Sequence, residues 1–291
     1  MIPDRFDYHA ASSLSEAVEL LERYGPEAKV LSGGQSLLPL LKLRLGHAAH
    51  LVDISRLAEL DYIKEEGGYL KIGAATREVE LERSDLVRTK YPILLDTTVV
   101  IADPLVRNRA TVGGNLAHGD PGNDHPATML ALGALVVATG PAGQRIIPIE
   151  RFFTGIFTTA LAANEILTEI RIPIPPDRSG GAYVKLERKV GDYATAAAAV
   201  QVTLGPAGQV ERVGIGLTNL GPTPIKAVEA ERYLGGRAAG DATIAEAARL
   251  AADATSPSAD RRGDVDYKRD MARVLTARAL KQAIQRAGGQ S

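Results

Sequence analysis

Two glycine pairs carry the most legible chemistry in this chain, Ser32-Gly33-Gly34-Gln35-Ser36 and Thr111-Val112-Gly113-Gly114-Asn115. The first follows a short apolar run ending in Val30 and Leu31 and leads into a helical stretch from Gln35 to Arg44. Glycine allows positive φ and lets a ligand approach with no Cβ in the way. Amides at the start of a helix then point outward, where the helix dipole favours an anion. Each loop is a candidate phosphate seat, and the pair could clamp a diphosphate from two sides. Neither has the alternating glycines of a βαβ dinucleotide fingerprint, nor the Gly-Lys-Ser/Thr ending of a Walker loop. Ordinary Rossmann and ATPase readings therefore lose ground.

Asn115 to Ala127, NLAHGDPGNDHPA, packs polar and turn-forming residues directly behind the second loop. Three readings stay open for it. His118, Asp120, Asp124 and His125 could be metal ligands, although their spacing matches no familiar ligand motif. The segment could be a polar loop whose Asx side chains cap the next helix. Or it wraps a cofactor, with Asp124 capping that helix or accepting from a ribose hydroxyl. Arg107 and Arg109 either neutralise a diphosphate or form a solvated face. Lys185, Arg188, Lys189, Asp192 and Tyr193 precede four alanines, Ala196 to Ala199, which leave room for a bulky ligand or for a closely packed helix. No Ser-His-Asp order, paired carboxylates or nucleophile elbow appears, so any chemistry falls to a cofactor.

These groups need elements to hold them. Ser13 to Glu16 forms a capping-box pattern ahead of a helix with Ala17, Leu20 and Leu21 at helical spacing, ended by Gly25-Pro26. His50 to Ile54 reads as a buried strand, and Tyr62–Glu66 with Tyr69–Ala74 as a hairpin around Gly67-Gly68. Thr76 is placed to cap the next helix, Tyr91 to Ile101 is another, and Asp124 opens one that Gly133 ends. After the linker Pro175 to Gly181, three strands near Ala182–Lys189, Ala194–Leu204 and Gln209–Leu217 precede three helices, as in an α+β sheet with helices on one face. Division into residues 1–177 and 178–291 follows.

The 291 residues are 45% hydrophobic, enough for two domains, and the net charge of -1 recommends neither nucleic acid nor an anionic membrane. No basic leader or long apolar run stands out, which places the chain in the cytoplasm, any contact with the inner membrane face being left to partners. With no cysteine, the chain has no disulfide, thiolate nucleophile or usual iron–sulfur ligand.

VLSGGQSLLPLLKLRL, IADPLVRNRATVGGNLAHGDPGNDHPA and KLERKVGDYATAAAAV together resemble the FAD-binding medium subunits of the molybdenum hydroxylases, above all the aerobic carbon monoxide dehydrogenase branch. The likeness runs from IPDRFDYH to the last helix. It implies an FAD-binding domain of two α+β subdomains, of the vanillyl-alcohol-oxidase type, and a C-terminal domain that closes over the flavin. Carried over by position, Ser32, Gly33, Gly34, Gln35 and Ser36 with Thr111, Gly113, Gly114 and Asn115 would hold the FAD diphosphate. Asp124 would hydrogen-bond the cofactor, Leu167 would offer main-chain contact, Lys185 would lie near the ring system and Tyr193 against its face. Gln35 stands where the carbon monoxide dehydrogenase branch has histidine.

The same resemblance implies two partners, a large molybdopterin-containing subunit and a small iron–sulfur subunit, arranged as a dimer of heterotrimers. This chain would take electrons from the clusters and pass them from FAD to an external acceptor, with the partner's substrate open among carbon monoxide, an aldehyde and an N-heterocycle. Two other readings remain: a self-sufficient FAD oxidoreductase using NAD(P)H, and a redox-silent module holding a phosphate ligand in the same loops.

Overall fold

The computed structural model describes residues 2–288. Strands β1 (Asp7–Ala10), β2 (Ala28–Leu31) and β3 (His50–Asp53) form a parallel sheet in the order β1-β3-β2, crossed over by helices α1 (Leu14–Tyr24) and α2 (Leu37–Lys42). Ser13 caps α1 by accepting from the Glu16 amide, and Ala17, Val18 and Leu21 turn their shared face into the core. Parallel strands with such crossovers present their carboxyl ends together, the usual place for a ligand. Leu31 and Asp53 end at that edge.

A second sheet is antiparallel, in the order β4-β5-β10-β6-β7. Its hairpin β4 (Ile63–Glu66) to β5 (Tyr69–Gly73) turns on Gly67 and Gly68, both at positive φ, as a two-residue primed turn requires. Five short helices follow: α3 (Glu78–Arg83), α4 (Asp85–Lys90), α5 (Pro92–Val99), α6 (Pro104–Arg107) and α7 (Val112–Ala117). Helix α8 (His125–Leu132) ends in left-handed Gly133 and feeds β6 (Leu135–Gly140) and β7 (Gly143–Pro148). A small hairpin, β8 (Phe153–Gly155) and β9 (Thr158–Thr159), leads to the central strand β10 (Ile166–Pro173). Thr76 caps no helix: its hydroxyl bonds the backbone of Tyr62, and Arg77 takes the position before α3.

The third sheet runs β11 (Ser179–Leu186), β12 (Ala196–Leu204), β13 (Val210–Thr218), β14 (Ile225–Lys226), all antiparallel. Helices α9 (Val228–Leu234), α10 (Asp241–Asp253) and α11 (Val265–Ala287) cover one face, as the sequence indicates. The other face is not bare. It packs on α5 and α8, so Ala197 and Ala199 join the core of the second sheet while Ala196 and Ala198 face α11. Close helix packing on both faces therefore accounts for the alanine run. Gly214 and Gly216 let α8 lie directly on β13, since a Cβ there would stand 3.1 and 3.0 Å from Ala131 Cα and Ala127 Cα and nearer still to their carbonyls.

Candidate functional site

The two glycine loops, 79 residues apart, meet at the seam between the first two sheets, where the hydroxyls of Ser32 and Thr111 lie 3.1 Å apart. Gly33 passes the backbone of Arg109 and Ala110 so closely that a Cβ would stand 2.8 Å from Ala110 Cα. Gly34 takes φ 75°, turning the chain into α2. The amides of Gly33, Gly34, Gln35 and Ser36 donate to no acceptor among the described residues. The second loop is more committed internally: Gly113 donates to Ala74 O, Gly114 to the Thr111 hydroxyl, and Asn115 to Thr111 O. Gly113 itself packs on Ala74. Its missing side chain serves the approach of α7 to β5.

A cleft of about 280 Å³ opens at this seam, lined by Ser32, Gly33 and Thr111 with Tyr8, Asp53, Arg56, Arg77 and Arg109. Asp53 is already engaged by the Tyr8 hydroxyl at 2.6 Å and the Ser55 amide at 2.8 Å. Three guanidinium groups thus face one satisfied carboxylate, a balance that suits a diphosphate. Asn115 Oδ1 adds a buried acceptor with no partner. Free amides, arginines and an orphaned acceptor together fit a dinucleotide with hydroxyl donors. Arg107 stands apart: it is buried, bonding Glu82 Oε2 at 2.9 Å and Ile101 O at 3.0 Å, so it neither faces the cleft nor forms a solvated surface. Arg56 and Arg77 carry no sequence motif; Arg77 reaches the cleft through its bridge to Thr111.

Thr111 links the loops and caps α7, so Thr111→Ala removes both roles. Loss of such a cap costs about 1 kcal/mol. FAD affinity in the full-length chain should fall several-fold, read by flavin fluorescence titration, with only a small loss of thermal stability.

Asp124 lies before α8 but its side chain does not cap the helix. Its Oδ1 accepts from the Tyr183 hydroxyl at 2.5 Å and its Oδ2 from Lys185 Nζ at 3.0 Å. Burial pushes the Asp124 carboxyl up, opposed by Lys185 and the Tyr183 hydrogen bond, while the same burial and Asp124 push the Tyr183 phenol up. Lys185 also donates to Val100 O. The sequence singled out Lys185 and passed over Tyr183, although residues two apart on one strand share a face.

Leu167 is buried on β10, paired with Ala138 of β6. It lies beyond the end of pairing with β5, where Glu169 meets Gly73. Tyr193 is 48% exposed, its ring against Gly122. Its loop is pinned by Asp192, which accepts from Arg262 and Arg188 at 3.0 Å each and from the Tyr193 amide at 2.9 Å. These bonds, led by Arg262, hold the Asp192 carboxyl down at about 2. A folded-state value below the ordinary one adds stability above pH 4, lost as pH falls through about 2. Arg262→Ala should therefore expose the 187–194 segment to limited proteolysis at neutral pH, where the wild type should stay protected.

The four metal candidates diverge. His125 Nε2 meets Glu78 Oε2 at 2.7 Å in the core, Asp124 faces β11, and the His118 ring lies tilted beside Phe157, centroids 5.1 Å apart, with Asp120 at 3.9 Å. Burial lowers the His118 imidazole, against Asp120. No group of three or more His, Asp or Glu side chains able to hold a metal occurs among the described residues. No described helix is long and apolar enough to cross a membrane.

Comparison with known proteins bears on this arrangement. Residues 4–175 match the family described as FAD binding domain in molybdopterin dehydrogenase, and residues 181–283 the CO dehydrogenase flavoprotein C-terminal domain. The chain is 46% identical to the carbon monoxide dehydrogenase medium chain of Afipia carboxidovorans, over 99% of both chains. It is 47% identical to that of Hydrogenophaga pseudoflava, over 97% of this chain and 98% of the other. The structure of carbon monoxide dehydrogenase from Hydrogenophaga pseudoflava superposes with TM-score 0.96 at 47% identity, covering 98% of this chain and 99% of that one. Quinoline 2-oxidoreductase from Pseudomonas putida 86 superposes with TM-score 0.92 at 34% identity over 99% of each chain.

Proposed function

This chain belongs to the FAD-binding medium subunits of the molybdenum hydroxylases, and from that premise we propose that it serves a carbon monoxide dehydrogenase, working between two partner subunits. It is an oxidoreductase subunit with FAD as its cofactor. The observation that carries the reading is the meeting of two glycine loops over an arginine-lined cleft in a chain matched along its length by carbon monoxide dehydrogenase medium chains. The partners are a large molybdopterin-containing subunit and a small iron–sulfur subunit, and the reaction of the whole enzyme is oxidation of CO with water to CO2. Structural likeness to quinoline 2-oxidoreductase keeps an N-heterocycle as the competing substrate class.

Bound FAD supplies the ability to accept electrons singly and release them in pairs. The chain's own residues bind, orient and shield it. Amides of Gly33 to Ser36 and the guanidiniums of Arg77 and Arg109 receive the diphosphate, and Asn115 Oδ1 accepts from a hydroxyl. Ser32 and Thr111 keep the loops in register. Asp124, Lys185, the Leu167 main chain and Tyr193 line the remainder, with residues 1–177 as the flavin-binding part and 178–291 closing it.

A visible absorption spectrum tests this on the chain alone, with excess FAD, and in the native complex. A flavin spectrum in the complex, whether or not the lone chain is yellow, is the expected result. A colourless native complex would overturn the reading.

A further inference from the structure

Asp124 gives up the cap of its own helix, and both its oxygens are taken by the C-terminal sheet. Tyr183 and Lys185 project from one face of β11, alternating as strand residues do, and Glu187 follows just beyond the end of the strand. Tyr183 is 5% exposed, and its hydroxyl crosses the seam to Asp124. The cluster also holds more acceptors than donors. Lys185 Nζ serves Asp124 and Val100 O, and Glu187 Oε2, 3.4 Å from it, is buried without a hydrogen bond. Such a surplus calls for donors from outside the chain, of which a flavin nucleotide has several.

Resting on the FAD reading above, we propose that Tyr183 is a positioning residue of the cofactor site: its hydroxyl, with Lys185, fixes the Asp124 carboxylate as an anionic acceptor for FAD, so that seating of the C-terminal sheet completes the site.

The groups that face Asp124 are Tyr183 and Lys185 of β11, Glu187 beyond them, His125 on its own helix, and Asp120 and Tyr193 at the mouth. Thr218 of β13 reaches it through the Tyr183 hydroxyl at 3.5 Å. Burial raises the carboxyl, and Lys185 and Tyr183 oppose the rise. Without the hydroxyl, protonation of Asp124 moves to higher pH and the acceptor weakens.

The test follows FAD retention by the full-length chain in its native complex between about pH 5 and about pH 9, by release of flavin fluorescence. Tyr183→Phe keeps the ring and removes only the hydroxyl. It should weaken FAD roughly tenfold near neutrality and move the acid limb of the profile upward by about one pH unit. Asp124→Asn should be weaker throughout with no acid limb in this range, and adding Tyr183→Phe to it should change nothing further. A Tyr183→Phe profile that matches wild type, or is lowered equally at every pH, overturns the proposal while leaving the FAD reading intact. If Tyr183→Phe yields no folded complex, Asp124→Asn decides: an acid limb persisting as in wild type overturns it. Wild-type complex without FAD at any pH refutes the FAD reading and this inference with it.

Discussion

Gly33→Ala should abolish FAD retention, weakening it by more than about a hundredfold, and destabilise the chain by about 2–4 kcal/mol. The added methyl would lie 2.8 Å from Ala110 Cα and closer still to the Arg109 carbonyl oxygen. Both neighbours are backbone, so no rotamer change relieves the clash and the loops must part. Parting breaks the Ser32–Thr111 contact and opens the cleft that Arg77 and Arg109 line. Gly67→Ala is the control. Gly67 also has positive φ, 61°, but nothing lies within 4 Å of its would-be Cβ. It should lose only about 1–2 kcal/mol of stability and keep FAD. Flavin absorbance after gel filtration, with thermal unfolding alongside, separates the two; wild-type FAD content in Gly33→Ala would refute the role assigned to this loop.

Glu78→Ala should cost about 3–5 kcal/mol of stability. Glu78 and His125 are both fully buried, joined at 2.7 Å between α3 and α8. Their outer atoms, Glu78 Oε1 and His125 Nδ1, already lack partners. Removing the carboxyl leaves the whole imidazole unsatisfied and opens a cavity beside it. His125→Ala strands Glu78 in the same way, and the double variant should recover part of either loss, because no polar group is then left alone. Chemical denaturation of the three variants measures this; strictly additive losses would show that the two residues do not act as a pair.

Local chemistry made much of the fold readable. Ser13 caps α1, Gly67-Gly68 makes the hairpin and Gly133 ends α8, each where its backbone preference places it. The first helix after the glycine loop is shorter than the pattern from Gln35 to Arg44 indicates, spanning Leu37–Lys42, with Arg44 just beyond it in a left-handed conformation, φ 55°, that no α-helix continues through. The glycine loops were visible because positive φ and close approach select glycine by type. Arg56 and Arg77 were not, because a surface arginine looks the same in sequence whether it meets solvent or a cleft. For Asp124 and His125 the sequence leaves metal ligands, helix-capping polar groups and a cofactor loop open side by side, because their partners Tyr183 and Glu78 are 59 and 47 residues away.

The sequence by itself determined the α+β class, the glycine loops, the absence of a cysteine-based centre and the family likeness. Each rests on residue type, short spacing or whole-motif identity. Only the tertiary structure decided which glycine serves packing and which leaves amides open, that Arg107 is internal, and that the alanine strand is clasped between α11 and the α5–α8 pair. Those outcomes depend on how three sheets stack, and stacking joins residues whose chemistry is complementary at distances along the chain that no local pattern spans.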